Sequence, residues 1–413
     1  MLTRARRAPA WLDDAHPRQV TIVWALTRLS MFVILLLPAY PADPVTGDTT
    51  LYRQWAEQMV TGQFPVDDDR WQYPPLAALM IVPPHLPGTA YAFWFMLFAV
   101  LLDLLVLRLL LRGGRAAKGA WYWTAGLFLL GPVGYFRFDL LVTAVAVCAL
   151  LVIARSRVFG AVVAVGVLIK VWPAILLMSL PRDRSGFRAV IASALTAAGI
   201  VGAVSLVADG QWGFLQGQSG RGIEIEAVPA VPFHVARLFG WSGSIEYRYG
   251  SWELLGPGVR TAGEVSMGLT LAGLAFAAVI AWRRRPDAWT PAFGCDLALA
   301  ATLIVTVTSR VLSPQYMIWI IGVAAVCLVH RDTRQRPVAV LVLAAVAITH
   351  LEFPIAWHAA RDGDPLAIGI VTVRDLVLIA ALAVSIRRLW AGPASGPASG
   401  AASGADEVRA GRG

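Results

Sequence analysis

Charge is what this chain has least of. Only 15% of its 413 residues are Asp, Glu, Lys or Arg, against 57% hydrophobic residues, and its mean hydropathy is +0.64. A soluble chain of this length needs a charged surface, and this one cannot cover itself. Cysteine is scarce too. Cys148, Cys295 and Cys327 all lie inside apolar runs, and no pair has metal-ligand spacing. Neither a disulfide, a zinc site nor any cofactor is therefore expected. The apolar runs lack period-two alternation, which argues against a transmembrane β-barrel. The first run, about Val20 to Tyr40, lacks a small-residue cleavage site and is too long for a signal-peptide core. It reads as the first spanning helix. A clear internal repeat, the mark of many transporters, is also missing.

What the chain does have is runs of roughly 20 apolar residues, enough to cross a bilayer. Candidate spans are 20–40, 89–111, 119–134, 138–154, 188–208, 263–281, 292–310, 313–329, 337–352 and 367–386. The expected fold is an all-α polytopic membrane protein with about ten spanning helices. The run 158–180 is different, with Lys170 and Pro173 in its middle and basic residues at both ends. It reads as two short half-helices that enter and return on one side, as broken helix at membrane depth does when protein surrounds it.

Loop charge suggests an orientation. With Arg4, Arg6 and Arg7 inside, the clusters at Arg112, Arg115 and Lys118, at Arg283–Arg285, at Arg331, Arg334 and Arg336, and at Arg387 and Arg388 also fall inside, as the positive-inside rule requires. Both termini are then cytoplasmic, in a multi-pass plasma-membrane protein. The net charge of +9 is topological on this reading and does not point to nucleic acid. Three regions follow: a cytoplasmic segment 1–19, a membrane domain 20–388, and a disordered tail 389–413 of repeated Gly, Pro, Ala and Ser.

Acids collect on the opposite face, in two long outer loops, 41–88 and 209–262, rich in aromatic residues. Long ordered loops on one face usually carry function. In the first loop, "TTLYRQWAEQMVTG" reads as a short helix stopped by Gly62, with Tyr52, Trp55 and Met59 on one apolar face. Asp48 precedes it, as an N-cap, as a catalytic carboxylate at the membrane surface, or as both. "YPPLAALMIVPPHLP" is too short to span and reads as an interfacial helix. Asp67–Asp69 read as a solvated turn; a metal site for a nucleotide sugar would need a βαβ pattern that is not present.

Together these motifs resemble glycosyltransferase family 87. Asp48 after the first span, the Tyr-containing helix, "GQFP" and "YPPLAAL" begin the match. "LIKVWPAILL", "GRGIEIEAVPA" and "SRVLSPQYMIWI" continue it in order. The family consists of membrane glycosyltransferases of the GT-C fold, typified by mannosyltransferases that use polyprenyl-phosphate mannose. Two departures stand out. "GPVGYFRFDLL" replaces a Gly-Gln-x-Asn pattern, and Gln315 and Tyr316 stand where some relatives carry histidines.

The resemblance implies transfer of a hexose, mannose in the typical case, from a polyprenyl-phosphate donor to a lipid or glycan acceptor on the extracytoplasmic face. Asp48 would be the general base of an inverting reaction. Lipid phosphate is a good leaving group, so such a transfer needs one base and cations for the departing phosphate. Arg221 is the first candidate cation, or else a surface arginine paired with Glu224 or Glu226. Those two acids are candidates for holding sugar hydroxyls. Arg310 beside Ser313–Pro314 is a second cation or an interfacial anchor. Lys170 either meets lipid phosphate or snorkels to the cytoplasmic surface. Tyr52 and Gln315 complete the candidate substrate-binding set. Arg137 and Asp139 are near enough in sequence to pair with each other. His350, Glu352 and His358 suit loop hydrogen bonds, and His234 and Trp241 are uncommitted. The competing functions are a transporter or flippase for lipid-linked sugars, and a non-catalytic partner in envelope assembly.

Overall fold

The computed structural model describes residues 17–113, 117–218 and 221–391. Arg4, Arg6, Arg7 and Arg115, most of the 1–19 segment, Ser219 and Gly220, and the tail from 392 lie outside the described residues. In chain order the principal helices are α1 Pro17–Leu35, α2 Asp48–Met59, α3 Tyr91–Gly113, α4 Lys118–Leu130, α5 Asp139–Leu151, α6 Ser156–Ile169, α7 Arg184–Val204, α8 Val259–Arg283, α9 Pro291–Thr308, α10 Tyr316–Val329, α11 Arg336–His350 and α12 Pro365–Trp390.

The protein is an all-α polytopic membrane protein. Among the described residues, seven helical stretches are long and apolar enough to cross a bilayer: α1, α3, α7, α8, α9, the stretch Arg336–Asp362 that begins with α11, and α12. The expected spans at 119–134, 138–154 and 313–329 are shorter than the apolar runs suggest. Their helices α4, α5 and α10 have 13, 13 and 14 residues. At 1.5 Å per residue each rises only about 20 Å, against a hydrocarbon core of about 30 Å. The short helices are the central ones. Every residue of α10 from Met317 to Cys327 is buried, while α7 and α8 bury little of themselves within the protein. A helix enclosed by other helices need not match the lipid, and its ends can border a cavity. Small residues allow the close approach. Gly322 of α10 meets the methyl of Thr143 on α5, and a Cβ at Gly126 of α4 would stand 2.6 Å from Ile321.

The run 158–180 folds back on itself. Helix α6 stops at Lys170, whose backbone is extended (φ −157°, ψ 135°). A 3-10 segment, Trp172–Ser179, then returns along α6. Gly160, near the start of α6, rests on the carbonyl of Ala189, near the start of α7. Trp289, before α9, donates to the Ser179 carbonyl at 3.0 Å. Both ends of the hairpin therefore lie at one end of the bundle. Asp183 caps α7, accepting from the backbone N–H groups of Ser185 and Gly186 at 2.7 and 3.0 Å.

At the other end sit the two long loops, 41–88 and 209–262. In the first, Tyr52 stacks on Phe95 of α3 (ring centroids 5.4 Å apart), and Trp55 meets Trp71 edge-on at 5.1 Å. The apolar face of α2 is thus packed on protein. The second loop holds a small antiparallel sheet that was not read from the sequence. Strands β1 Ile223–Glu224, β2 Ser244–Arg248 and β3 Ser251–Leu255 lie in the order β1-β3-β2. A bridge between Gln63 and Asp209 joins the two loops.

Candidate active site

Asp48 is the first residue of α2, not its cap. Gly47 holds the cap position with no side-chain hydrogen bond, so the N-cap expectation is corrected. The carboxylate instead lies 3.1 Å from Arg137 Nε and accepts from the Tyr52 hydroxyl at 3.5 Å. The Arg137 contact is at ion-pair distance without hydrogen-bond alignment, since Nε makes no hydrogen bond. Arg137 is itself fixed, donating to the carbonyls of Val45 (2.8 Å), Phe136 (3.1 Å) and Pro44 (3.1 Å). It therefore ties the short helix Ala42–Thr46 to the entrance of α5.

The expected Arg137–Asp139 pair does not form. Arg137 has extended backbone (φ −131°, ψ 143°), and the two side chains part. Asp139 opens α5, where the helix dipole favours an acid. It accepts from Lys170 Nζ at 2.8 Å and from Trp319 Nε1 at 2.7 Å. Snorkelling of Lys170 is also corrected. Its ammonium sits at the hairpin tip within a cage of aromatic rings, 4.6 Å from Tyr316, 4.7 Å from Trp319, 4.9 Å from Phe138 and 5.8 Å from Tyr73. A carboxylate plus ring faces makes a buried ammonium tolerable.

Sheet pairing places Glu224 of β1 and Glu246 of β2 on either side of Glu253 of β3. Like charges directly across strands repel, and each buried acid is compensated. Arg221 pairs with Glu253 at 2.9 Å, in place of the expected Glu224 or Glu226. It also donates to Gln72 (2.6 Å) and Ser251 (2.9 Å). Glu224 accepts from the Leu312 N–H and the Ser313 hydroxyl, both at 2.6 Å, and so holds the Ser-Pro turn. Burial still pushes the Glu224 carboxyl above its ordinary range, against the lowering influence of Ser313 and Arg221. Glu226 is pushed up further, first by burial and then by Glu224 and Glu352. Arg310 Nη1 lies 3.5 Å from the Arg221 carbonyl, which brings the two arginines together.

Arg221 and Arg310 border one cavity of about 640 Å³ together with Val259 and Glu264, and two others share Asp48. The larger of those two, about 600 Å³, has a polar end at Asp48, Lys170, Arg221, Glu224 and Arg310. From there it runs into an apolar groove between Trp172–Ile175, Met267 of α8 and Val305 of α9. The smaller, about 410 Å³, is lined by Asp48, Arg137, Glu226 and Arg70, with Tyr247, Trp252, Phe353 and Trp357 as aromatic walls. Asp48, Glu224 and Gln315 line both. Tyr52 lines neither. It is buried behind Asp48, where its hydroxyl meets the carboxylate, so its candidate role as a direct substrate contact does not match its position.

Sequence reasoning did not single out Trp319, Glu253 or the aromatic walls, and it read Arg137 and Asp139 only as partners of each other. "GYFRFD" signalled charge near a span, but only the turn Pro132–Phe136 before it decides which way each charge faces. Asp68 accepts from Trp55 (2.9 Å) and twice from the Arg70 guanidinium (2.7 Å each), and so presents Arg70 to the smaller cavity. His234 donates from Nε2 to the Ile225 carbonyl at 2.6 Å, and His350 meets Tyr40 at 3.2 Å.

Family comparison decides the class. The model for glycosyltransferase family 87 matches residues 71–314, more than half of the chain. The chain belongs to glycosyltransferase family 87. It is a membrane glycosyltransferase, acting on a sugar donor and an acceptor. The matched stretch includes Lys170, Arg221, Glu224, Glu226 and Arg310; Gln315 adjoins its end, while Asp48 and Tyr52 precede its start at residue 71. No curated protein matches this family 87 chain.

Proposed function

We propose that this glycosyltransferase moves a hexose, mannose by resemblance, from polyprenyl phosphate to a lipid or glycan acceptor on the extracytoplasmic face, with Asp48 as general base. The observation that carries the reading is the place of Asp48, where the polar end of an apolar groove, with Lys170, Arg221 and Arg310, borders a second cavity. A polyprenyl tail suits the apolar groove, which would leave the phosphate near Arg221, Arg310 and Lys170. The acceptor hydroxyl would enter from the smaller cavity. Its oxygen attacks the anomeric carbon on the face opposite the phosphate, the carbon–oxygen bond to phosphate breaks, and configuration inverts. The hydroxyl proton passes to Asp48, and the bond's electron pair leaves with the lipid phosphate. A forked guanidinium suits the charge that develops there. Arg137 keeps the Asp48 carboxylate directed at the junction.

The test is Asp48→Asn, which preserves shape. In membranes supplied with labelled polyprenyl-phosphate mannose, loss of a general base should lower transfer about 10²- to 10⁴-fold at equal protein amount. Asp48→Glu should recover only part. Normal turnover by the Asn variant would remove Asp48 from the mechanism.

A further inference from the structure

One wall of the smaller cavity is assembled from parts of the chain remote in sequence. Glu226 follows β1. Phe353 lies at the kink of the helical segment Leu351–Ala356 that follows α11, and Trp357 opens the short helix Trp357–Asp362. Behind this wall, on α12, lies Arg374, 0% exposed. Its Nη1 is 3.0 Å from Glu352 Oε2 and its Nε is 2.7 Å from Asp375 Oδ1, both at ion-pair distance without hydrogen-bond alignment. Its Nη2 donates to the backbone carbonyl of Glu226. One guanidinium thus holds both segments. A charge within a spanning helix is costly, and apolar packing fills such a place as well or better. The second observation is at Glu226, which lines the cavity. Glu226 is only 6% exposed, and its Oε1 has no hydrogen-bond partner. A buried carboxyl that lines a cavity and lacks its full set of partners is suited to a ligand hydroxyl.

We propose that Arg374 is a positioning residue for the acceptor, holding Glu226 and the kinked helical segment 351–357 as one wall against which acceptor hydroxyls bind. This rests on the transferase reading, in which the smaller cavity takes the acceptor. Arg374 touches neither substrate. It acts through the Glu226 carbonyl and the Glu352 carboxylate, so its loss should loosen one cavity and spare the other.

The experiment uses the full chain in lipid nanodiscs, with polyprenyl-phosphate mannose as donor and n-octyl α-mannoside as acceptor probe. Arg374→Gln should raise the acceptor KM about tenfold or more, equivalent to about 1.4 kcal/mol, and leave the donor KM within about twofold. Arg374→Lys should restore part of the loss. Hydrogen exchange should rise in 223–230 and 351–357 and stay unchanged in 309–316. Should Arg374→Gln fail to fold, Glu352→Gln gives the same KM split. An unchanged acceptor KM, equal rises in both KM values, or unchanged exchange in both segments would overturn the proposal. A wild-type protein that transfers no sugar would overturn the proposed function instead, and the exchange measurement would still decide whether Arg374 holds the wall.

Discussion

At the scale of single residues, the site depends on which partner each charge finds. Arg137 and Asp139 are two residues apart, yet one serves Asp48 and the other Lys170. Glu226 has no such partner at Oε1, and its burial has a consequence for pH. Its folded pKa is raised above the ordinary 4.5. The folded protein therefore holds this proton more tightly than the unfolded chain does. The resulting stability is complete below pH 4.5 and is lost as pH rises through the folded value. Glu226→Gln mimics the protonated form. Thermal unfolding of wild type and variant should nearly coincide at acidic pH, and the wild type should fall behind as pH rises. Parallel curves across the range would count against a proton held on Glu226.

At the scale of elements, the hairpin formed by α6 and Trp172–Ser179 brings Lys170 to the site and sends the chain back to its starting end. Its break follows from Lys170 and Pro173, since a proline cannot continue the backbone ladder of α6. The small sheet acts similarly on the other loop, setting the β1 segment with Arg221 and Glu224 beside the buried Glu253. The proposed orientation puts both hairpin ends in the cytoplasm. Ser185→Cys should then react with an impermeant thiol reagent only when the cytoplasmic side is open. Asp183 keeps its bond to the Gly186 N–H in that variant, so the α7 cap survives. Labelling solely from outside would reverse the orientation of the hairpin and of every later span.

At the scale of the whole molecule, a buried polar centre joins the first half of the bundle. Asp103 of α3 accepts from Trp24 (2.8 Å) and Arg28 (2.8 Å) of α1, Trp123 of α4 (2.7 Å) and Tyr135 (2.6 Å). Asp103 lines neither cavity. Asp103→Asn leaves Arg28 buried without its counter-charge, which should cost about 3–5 kcal/mol of stability. Denaturant unfolding in detergent should move accordingly, while transfer per folded molecule stays near wild type. A site defect without lost stability would place Asp103 in the mechanism instead.

Composition alone determined that this chain enters a membrane, because too few charges exist to cover it in water. Run lengths and the Lys170–Pro173 break marked most helices and the hairpin, since helix formation and its interruption are local. Motif order placed Asp48, Arg221, Glu224 and Arg310 among the candidates. Their arrangement was decided by tertiary structure. Helices α4, α5 and α10 fall short of the bilayer because neighbours, not lipid, enclose them. The partners of Arg137, Lys170 and Arg221 come from distant segments, and no spacing along the chain encodes them. The aromatic walls at Trp252 and Trp357 meet only because β3 and the kinked helical segment after α11 come together, with ring centroids 6.3 Å apart. A sequence records which groups are available. Which of them face one cavity is set by how long-range packing satisfies buried charge.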